Sequence, residues 1–300
     1  MLRSFRALSL AFPMLAVSCS ASPEFRAAAY LAHEVPAWPQ KNKCYSCHNN
    51  GDAARALQAA GRSCFKFDAR ALDTTATWLH RPEGWKDNGP PGEFSDKDLA
   101  TLQFAHALAS SEDPGPALDQ AATMLRDLQQ PDGSWKVDAD GLPGSPVTYG
   151  RTLATVVARR VLITAHPARH AGAIGRALRW LRQRRPEGPL DAGALLIGTE
   201  DRRDELLEIL RKGQSRDGGW GPYGSSPPEV FDTSIALLGL ATVREQPGVA
   251  EMIRRGRDYL LAAQEPDGSW PETTRPPGAE SYAQRISTSG WALLALLATP

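Results

Sequence analysis

The sequence predicts an all-α fold in which six helical hairpins close on one another, and three observations carry that expectation. The seven-residue pattern Gln-x-x-Asp-Gly-(Ser/Gly)-Trp occurs three times, at 129–135, 214–220 and 264–270. Each copy follows a run with apolar residues at helical spacing and precedes a second such run, as in 117–128 and 147–163 around the first copy. Degenerate copies around Trp38, Trp85 and Gly188 fill the rest of the chain, so the unit recurs about every 50 residues. A helix, a Gly-rich turn and a helix that bury only one face are stable only against neighbouring units.

The first hairpin is expected at 21–34 with 50–62. The second, 70–80 with 96–110, carries Ser95-Asp96-Lys97-Asp98 where an N-terminal cap is needed. The third pairs 115–129 with 147–165 around the first full turn motif. The fourth, 169–185 with 190–198, has lost the Asp and terminal Trp of its turn. The fifth, 202–213 with 230–243, places Asp232 as a cap, and the sixth pairs 247–264 with 282–298. Within each turn, Gln can satisfy free carbonyls at a helix end, Asp can accept from nearby N–H groups, Gly permits the tight bend and Trp packs beneath the neighbouring helices.

These repeats resemble the QW motifs of squalene and oxidosqualene cyclases and the related repeats of protein prenyltransferase β subunits. The resemblance runs through essentially all of the chain after its leader and implies an α/α toroid with inner and outer rings of six helices. It does not carry the enzymes' catalytic groups across. Cyclases of this kind protonate substrate with Asp-x-Asp-Asp, and the nearest string, Asp138-Ala139-Asp140-Gly141, is wrong at its last position. Prenyltransferases hold zinc partly through a late cysteine, and there is none after Cys64. Enzymatic activity is therefore left unassigned.

Lys plus Arg and Asp plus Glu number 34 each, so there is no basic excess to attract nucleic acid. At the N-terminus, Arg3 and Arg6 precede an apolar stretch at 7–17, which is the pattern of an export signal over 1–21. Cys19 in Ala16-Val17-Ser18-Cys19 resembles a lipoprotein box, against cleavage near Ala21; both readings stay open. The expected chain is a leader followed by one toroid domain at 22–300, exported to the periplasm or tethered there by lipid at Cys19.

The first hairpin departs from the repeat. Where other units carry the Gln-to-Trp turn it reads Cys44-Tyr45-Ser46-Cys47-His48, the Cys-x-x-Cys-His attachment motif that c-type cytochromes share. This predicts one covalent haem c, with thioethers at Cys44 and Cys47, His48 as proximal ligand, and His80 or His33 as a distal one. The function expected from it is electron transfer or haem redox sensing with a redox partner protein. Rival readings are a Cys44–Cys47 disulfide and a zinc site adding Cys64, the latter opposed by a helix at 50–62 that would carry Cys64 away. The alternatives for the whole chain are a squalene/terpene cyclase-like or polysaccharide-acting toroid enzyme with a small-molecule ligand in its cavity, and a haem-free scaffold with a structural Cys-x-x-Cys. The starts of the inner helices offer pocket candidates on the same rim: Tyr149, Arg151, Asp232, Tyr282 and Arg285.

Overall fold

The computed structural model describes residues 22–63, 65–88, 96–136, 143–275, 278 and 280–300, and these are helical with no strand among them. The leader, Cys19, Cys64 and the Asp138–Asp140 string lie outside the described residues. Six outer helices alternate with six inner ones. The outer set is α1 (Pro23–Asn42), α3 (Asp73–Leu79), α5 (Gly115–Asp127), α7 (Ala171–Gln183), α9 (Arg203–Gly213) and α11 (Val249–Ala263). The inner set begins with a π-helical segment, Cys47–Ala53, that runs into α2 (Ala54–Gly61). It continues with α4 (Lys97–Ala109), α6 (Gly150–Ala165), α8 (Pro189–Gly198), α10 (Val230–Ala241) and α12 (Tyr282–Ala298).

Each inner helix packs on the next, and α12 returns to the π-helical segment and α2, so the ring closes. The two rings differ in pattern for that reason. Outer α7 buries Ala173, Ala177 and Leu181, one stripe at i, i+4, i+8, and turns its arginines outward. Inner α10 meets protein on every side and is buried without a break from Val230 to Leu237. Asp96 caps α4 by accepting from the Leu99 N–H at 2.7 Å.

The repeated turn works in the same way three times. Trp135, Trp220 and Trp270 donate their indole N–H to the carbonyls of Leu125, Leu210 and Leu260, each ten residues back near the end of the preceding outer helix. Burying each indole is worth roughly 4–6 kcal/mol on area. The Gln amide donates both to its own turn and to the start of the next outer helix: Gln129 to Gly133 and Ala173, Gln214 to Gly218 and Met252. In the last copy Gln264 reaches Gly268 and Pro23, so the same side chain fastens the sixth hairpin to the first. The turn glycine is required twice over. Gly218 has φ +94°, and a Cβ there would stand 2.2 Å from the Arg255 carbonyl oxygen of the adjoining outer helix. Asp132 and Asp267 accept from the N–H and hydroxyl of the serine two residues on, inside the turn, and Asp132 also pairs with Arg151 of the following inner helix at 2.8 Å.

Candidate functional site

In the first hairpin, Cys47 and His48 are the opening residues of the inner helix. Ser46 caps that helix through its hydroxyl, which accepts from the His48 N–H at 3.2 Å. The next residues join the inner helix to the outer ring, a task that the Gln-to-Trp turn performs elsewhere. Asn50 donates to the Val35 carbonyl and the Thr75 hydroxyl, and Asn49 to the Glu34 carbonyl and the Tyr282 hydroxyl. Cys44 and Cys47 are buried. His48 Nδ1 pairs with the Ser287 hydroxyl of α12 at 3.0 Å, while Nε2 lies against Cys47 Sγ at 3.7 Å. Burial holds His48 down at about 4, in its neutral form, and drives the Cys47 thiol up to about 12, with the nearby charge of Asp52 adding to the rise.

Asp52, one turn further on, is buried and accepts from the Tyr149 hydroxyl and from Gln103 Nε2 at 2.9 Å. Burial raises its carboxyl above the usual range, opposed first by the charge of Arg55. Tyr149 enters α6 at φ 60°, a conformation that costs a bulky residue about 1–3 kcal/mol, and its phenol is pushed well above its ordinary value by burial and by Asp52. These groups form a polar plug across the axis of the ring.

Below the plug the axis opens into a cavity of about 660 Å³ whose wall takes residues from all six inner helices. Its sides are apolar, from Leu153, Val156 and Val157 of α6, Ile197 of α8, Leu238 of α10 and Leu294 of α12. Its floor is Trp291, whose ring packs edge-on with Tyr149 and Phe231. The Arg55 guanidinium lies 4.1 Å above the Trp291 ring, a contact worth about 2 kcal/mol when desolvated. Arg62, Arg160 and Arg244 line the cavity as well. Burial pushes Arg55 downward, yet a guanidinium remains protonated in protein. His106 of α4 also lines the cavity and is held well below its usual value by burial, then by Arg55 and Arg160.

Of the pocket candidates on the opposite rim, Tyr149 and Arg151 line a second cavity of about 420 Å³ between the starts of α6 and α8. The others are not brought to it. Arg151 and Arg285 are counterparts, tying an inner helix to the turn before it through the hydroxyls of Ser134 and Ser269. Asp232 is fully buried and paired with Arg275, and Tyr282 is half-exposed, donating to Glu34. His80 is exposed, with both ring nitrogens against backbone carbonyls of Ala76 and Asp113, and His33 pairs with Glu34 at the surface. The floor residue Arg55 was not among the sequence candidates. The signal for it is a single charge inside Ala53-Ala54-Arg55-Ala56, repeated two helical turns on, at Arg62.

Residues 196–300 match the family model of the squalene-hopene cyclase C-terminal domain. A lanosterol synthase from Aspergillus fumigatus is 32% identical over 100 residues, 32% of this chain and 13% of that protein. A probable squalene–hopene cyclase from Sinorhizobium fredii is 25% identical over 292 residues, covering 79% of this chain and 44% of its own length. The chain thus spans less than half the length of these curated relatives. Among solved structures, the type II terpene cyclase MstE from Scytonema, in complex with its substrate geranylgeranyl dihydroxybenzoate, superposes with a TM-score of 0.52 at 16% identity, covering 92% of this chain and 98% of that one. The chain has the α/α-toroid fold of the terpene cyclases.

These findings overturn the covalent haem c expected at Cys44, Cys47 and His48, and with it the electron-transfer or sensing role and the redox partner. The similar proteins named above are terpene cyclases. The local geometry gives the physical reason: the imidazole is shared between Ser287 and Cys47, the two thiols face the interior, and Tyr45 between them is stacked on Trp78 at 4.6 Å. Neither cavity described above is lined by any of the three residues. Nor do three or more His, Cys, Asp or Glu side chains converge as a metal site among the described residues.

Proposed function

We propose that this is a squalene/terpene cyclase-like protein that takes an isoprenoid small molecule into its axial cavity. One observation carries the reading: a cavity of about 660 Å³, within the usual range for organic ligands, drawn from all six inner helices and lined by apolar side chains from five of them. A branched hydrocarbon chain gains from that wall by losing contact with water, and Trp291 gives it a flat aromatic floor. The similarity to the C-terminal domain of squalene–hopene cyclases, and to a cyclase that binds a geranylgeranyl compound, supports the isoprenoid class.

The reading is one of binding. Protonating an alkene requires a neutral acid within reach of it. No Asp or Glu is among the described residues lining the axial cavity. Asp52 is held behind Arg55 by Tyr149 and Gln103, Asp96 is a helix cap, and Asp98 is exposed. The test is to incubate the folded protein with squalene, geranylgeraniol and farnesol, remove free ligand by gel filtration, and extract and identify what remains by gas chromatography with mass spectrometry. Retention of one isoprenoid per chain, unchanged, is the expected result. Loss of all three from protein with an intact helical spectrum would overturn the proposal.

A further inference from the structure

We infer that the floor of the axial cavity is an oxyanion subsite, in which Arg55, supported by Arg160 and His106, receives a carboxylate or phosphate group of the bound molecule. Arg55 is only 7% exposed, yet its Nε and Nη2, which share one edge of the guanidinium, have no hydrogen-bond partner. His106 is equally buried and its Nδ1 is also unpartnered, as is Nε1 of Trp291. Three inner helices therefore bring unpartnered polar atoms to one end of one cavity. Buried polar groups are nearly always paired, and a charged donor left unpaired is the costliest exception. Two parallel N–H groups on one guanidinium edge match the two oxygens of a carboxylate or phosphate.

The surroundings choose the sign of the ligand. Arg55, Arg62, Arg160 and Arg244 all line the cavity, and no Asp or Glu among the described residues does so. Asp52 feels the charge of Arg55, but its burial favours the neutral carboxyl and its oxygens are taken by Tyr149 and Gln103. Arg160 is exposed at the wall and makes no ion pair among the described residues. The guanidinium on the Trp291 face also places a permanent positive charge where a carbocation would otherwise be stabilised, so the floor favours an anion over a cationic reaction intermediate. The nature of the ligand's tail rests on the isoprenoid reading above; the charge of its head does not.

The experiment is a calorimetric titration of the full protein with farnesol, farnesoic acid, farnesyl diphosphate and dodecanoic acid, a straight-chain carboxylate. On the wild type, the farnesyl carboxylate or diphosphate is expected to bind at least about tenfold more tightly than the alcohol, and the two arms show which oxyanion fits. Arg160→Met should reduce that preference, and Arg55→Met should abolish it, each read as the ratio of acid to alcohol affinity within the same variant. If Arg55→Met does not fold, the head-group series and Arg160→Met still decide. Equal affinity for alcohol and acid, or an acid preference untouched by Arg160→Met and Arg55→Met, would overturn the inference. Tight binding of dodecanoic acid with no binding of farnesol would uphold the oxyanion subsite while removing the isoprenoid reading.

Discussion

The closest approach between inner helices predicts that one glycine-to-alanine change will destabilise this protein while the same change elsewhere stabilises it. Helices α8 and α10 meet through Gly193 and Gly239. A Cβ added at Gly239 would lie 2.5 Å from the Gly193 carbonyl oxygen and 2.9 Å from its Cα. Both are backbone atoms that no rotamer change can move aside, so Gly239→Ala must drive the two helices roughly 1 Å apart to restore ordinary contact. Overpacking typically costs about 1–3 kcal/mol, and against backbone that cannot rotate away the upper part of that range, about 2–3 kcal/mol, applies, whereas alanine's better helix propensity returns about 1 kcal/mol. The expected net loss is about 1–2 kcal/mol, read as a urea midpoint lowered by roughly 0.5 M. Gly175 in outer α7 is the control, since a Cβ there meets only the Arg179 guanidinium at 3.6 Å. Gly175→Ala should therefore gain about 0.5–1 kcal/mol. A Gly239→Ala protein as stable as the wild type, or equal losses at both positions, would refute this account of inner-ring packing.

Three further outcomes are expected. Gln129→Ala, Gln214→Ala and Gln264→Ala each remove two amide hydrogen bonds of matching geometry, so each should cost about 1–3 kcal/mol in chemical denaturation; a neutral Gln264→Ala would show that the seam between first and last hairpins is held by other contacts. Asp232 is raised to about 7, chiefly by burial and against the pull of Arg275. The folded state then holds its proton more tightly than the unfolded chain, so its contribution is fully present below the unfolded carboxylate value and declines as pH rises to about 7. Wild-type stability relative to Asp232→Asn should accordingly fall by roughly 1 kcal/mol per pH unit between about pH 4 and 7, and a difference independent of pH would contradict it. Because the Cys47 thiol stands at about 12, its alkylation by iodoacetamide in the native protein at neutral pH should be at least ~10³-fold slower than in the denatured chain, measured by mass spectrometry.

The hairpins were legible because the turn chemistry is local. Gln, Asp, Gly and Trp act within ten residues of one another and leave the same imprint in each copy, so the helix boundaries follow within a few residues, except that the first helix, expected to end at 34, runs on through Pro36 and Pro39 to Asn42. The first inner helix starts earlier than its apolar pattern suggests, at Cys47, because a π-helical turn capped by Ser46 takes the place of the standard turn. Cys-x-x-Cys-His was misleading for a related reason. The pattern specifies five neighbouring residues, whereas the fate of His48 is decided by Ser287, 239 residues away. The rim candidates Arg151 and Arg285 each bind the serine of the preceding turn, a scaffold role visible only once the repeats are aligned in space. Arg55 escaped notice because a lone arginine among alanines acquires meaning only when the ring closes and sets Trp291 beneath it.

The most direct test of the axial cavity is photo-crosslinking with a diazirine-bearing farnesyl probe, followed by peptide mapping. Labels are expected on Val156, Ile197, Leu238 and Leu294, the walls of the cavity above Trp291, and an excess of unlabelled geranylgeraniol should suppress them. Labelling confined to the outer helices, or to Tyr149, Arg151 and Tyr223 around the opposite cavity, would contradict the assignment of the axial cavity as the ligand site.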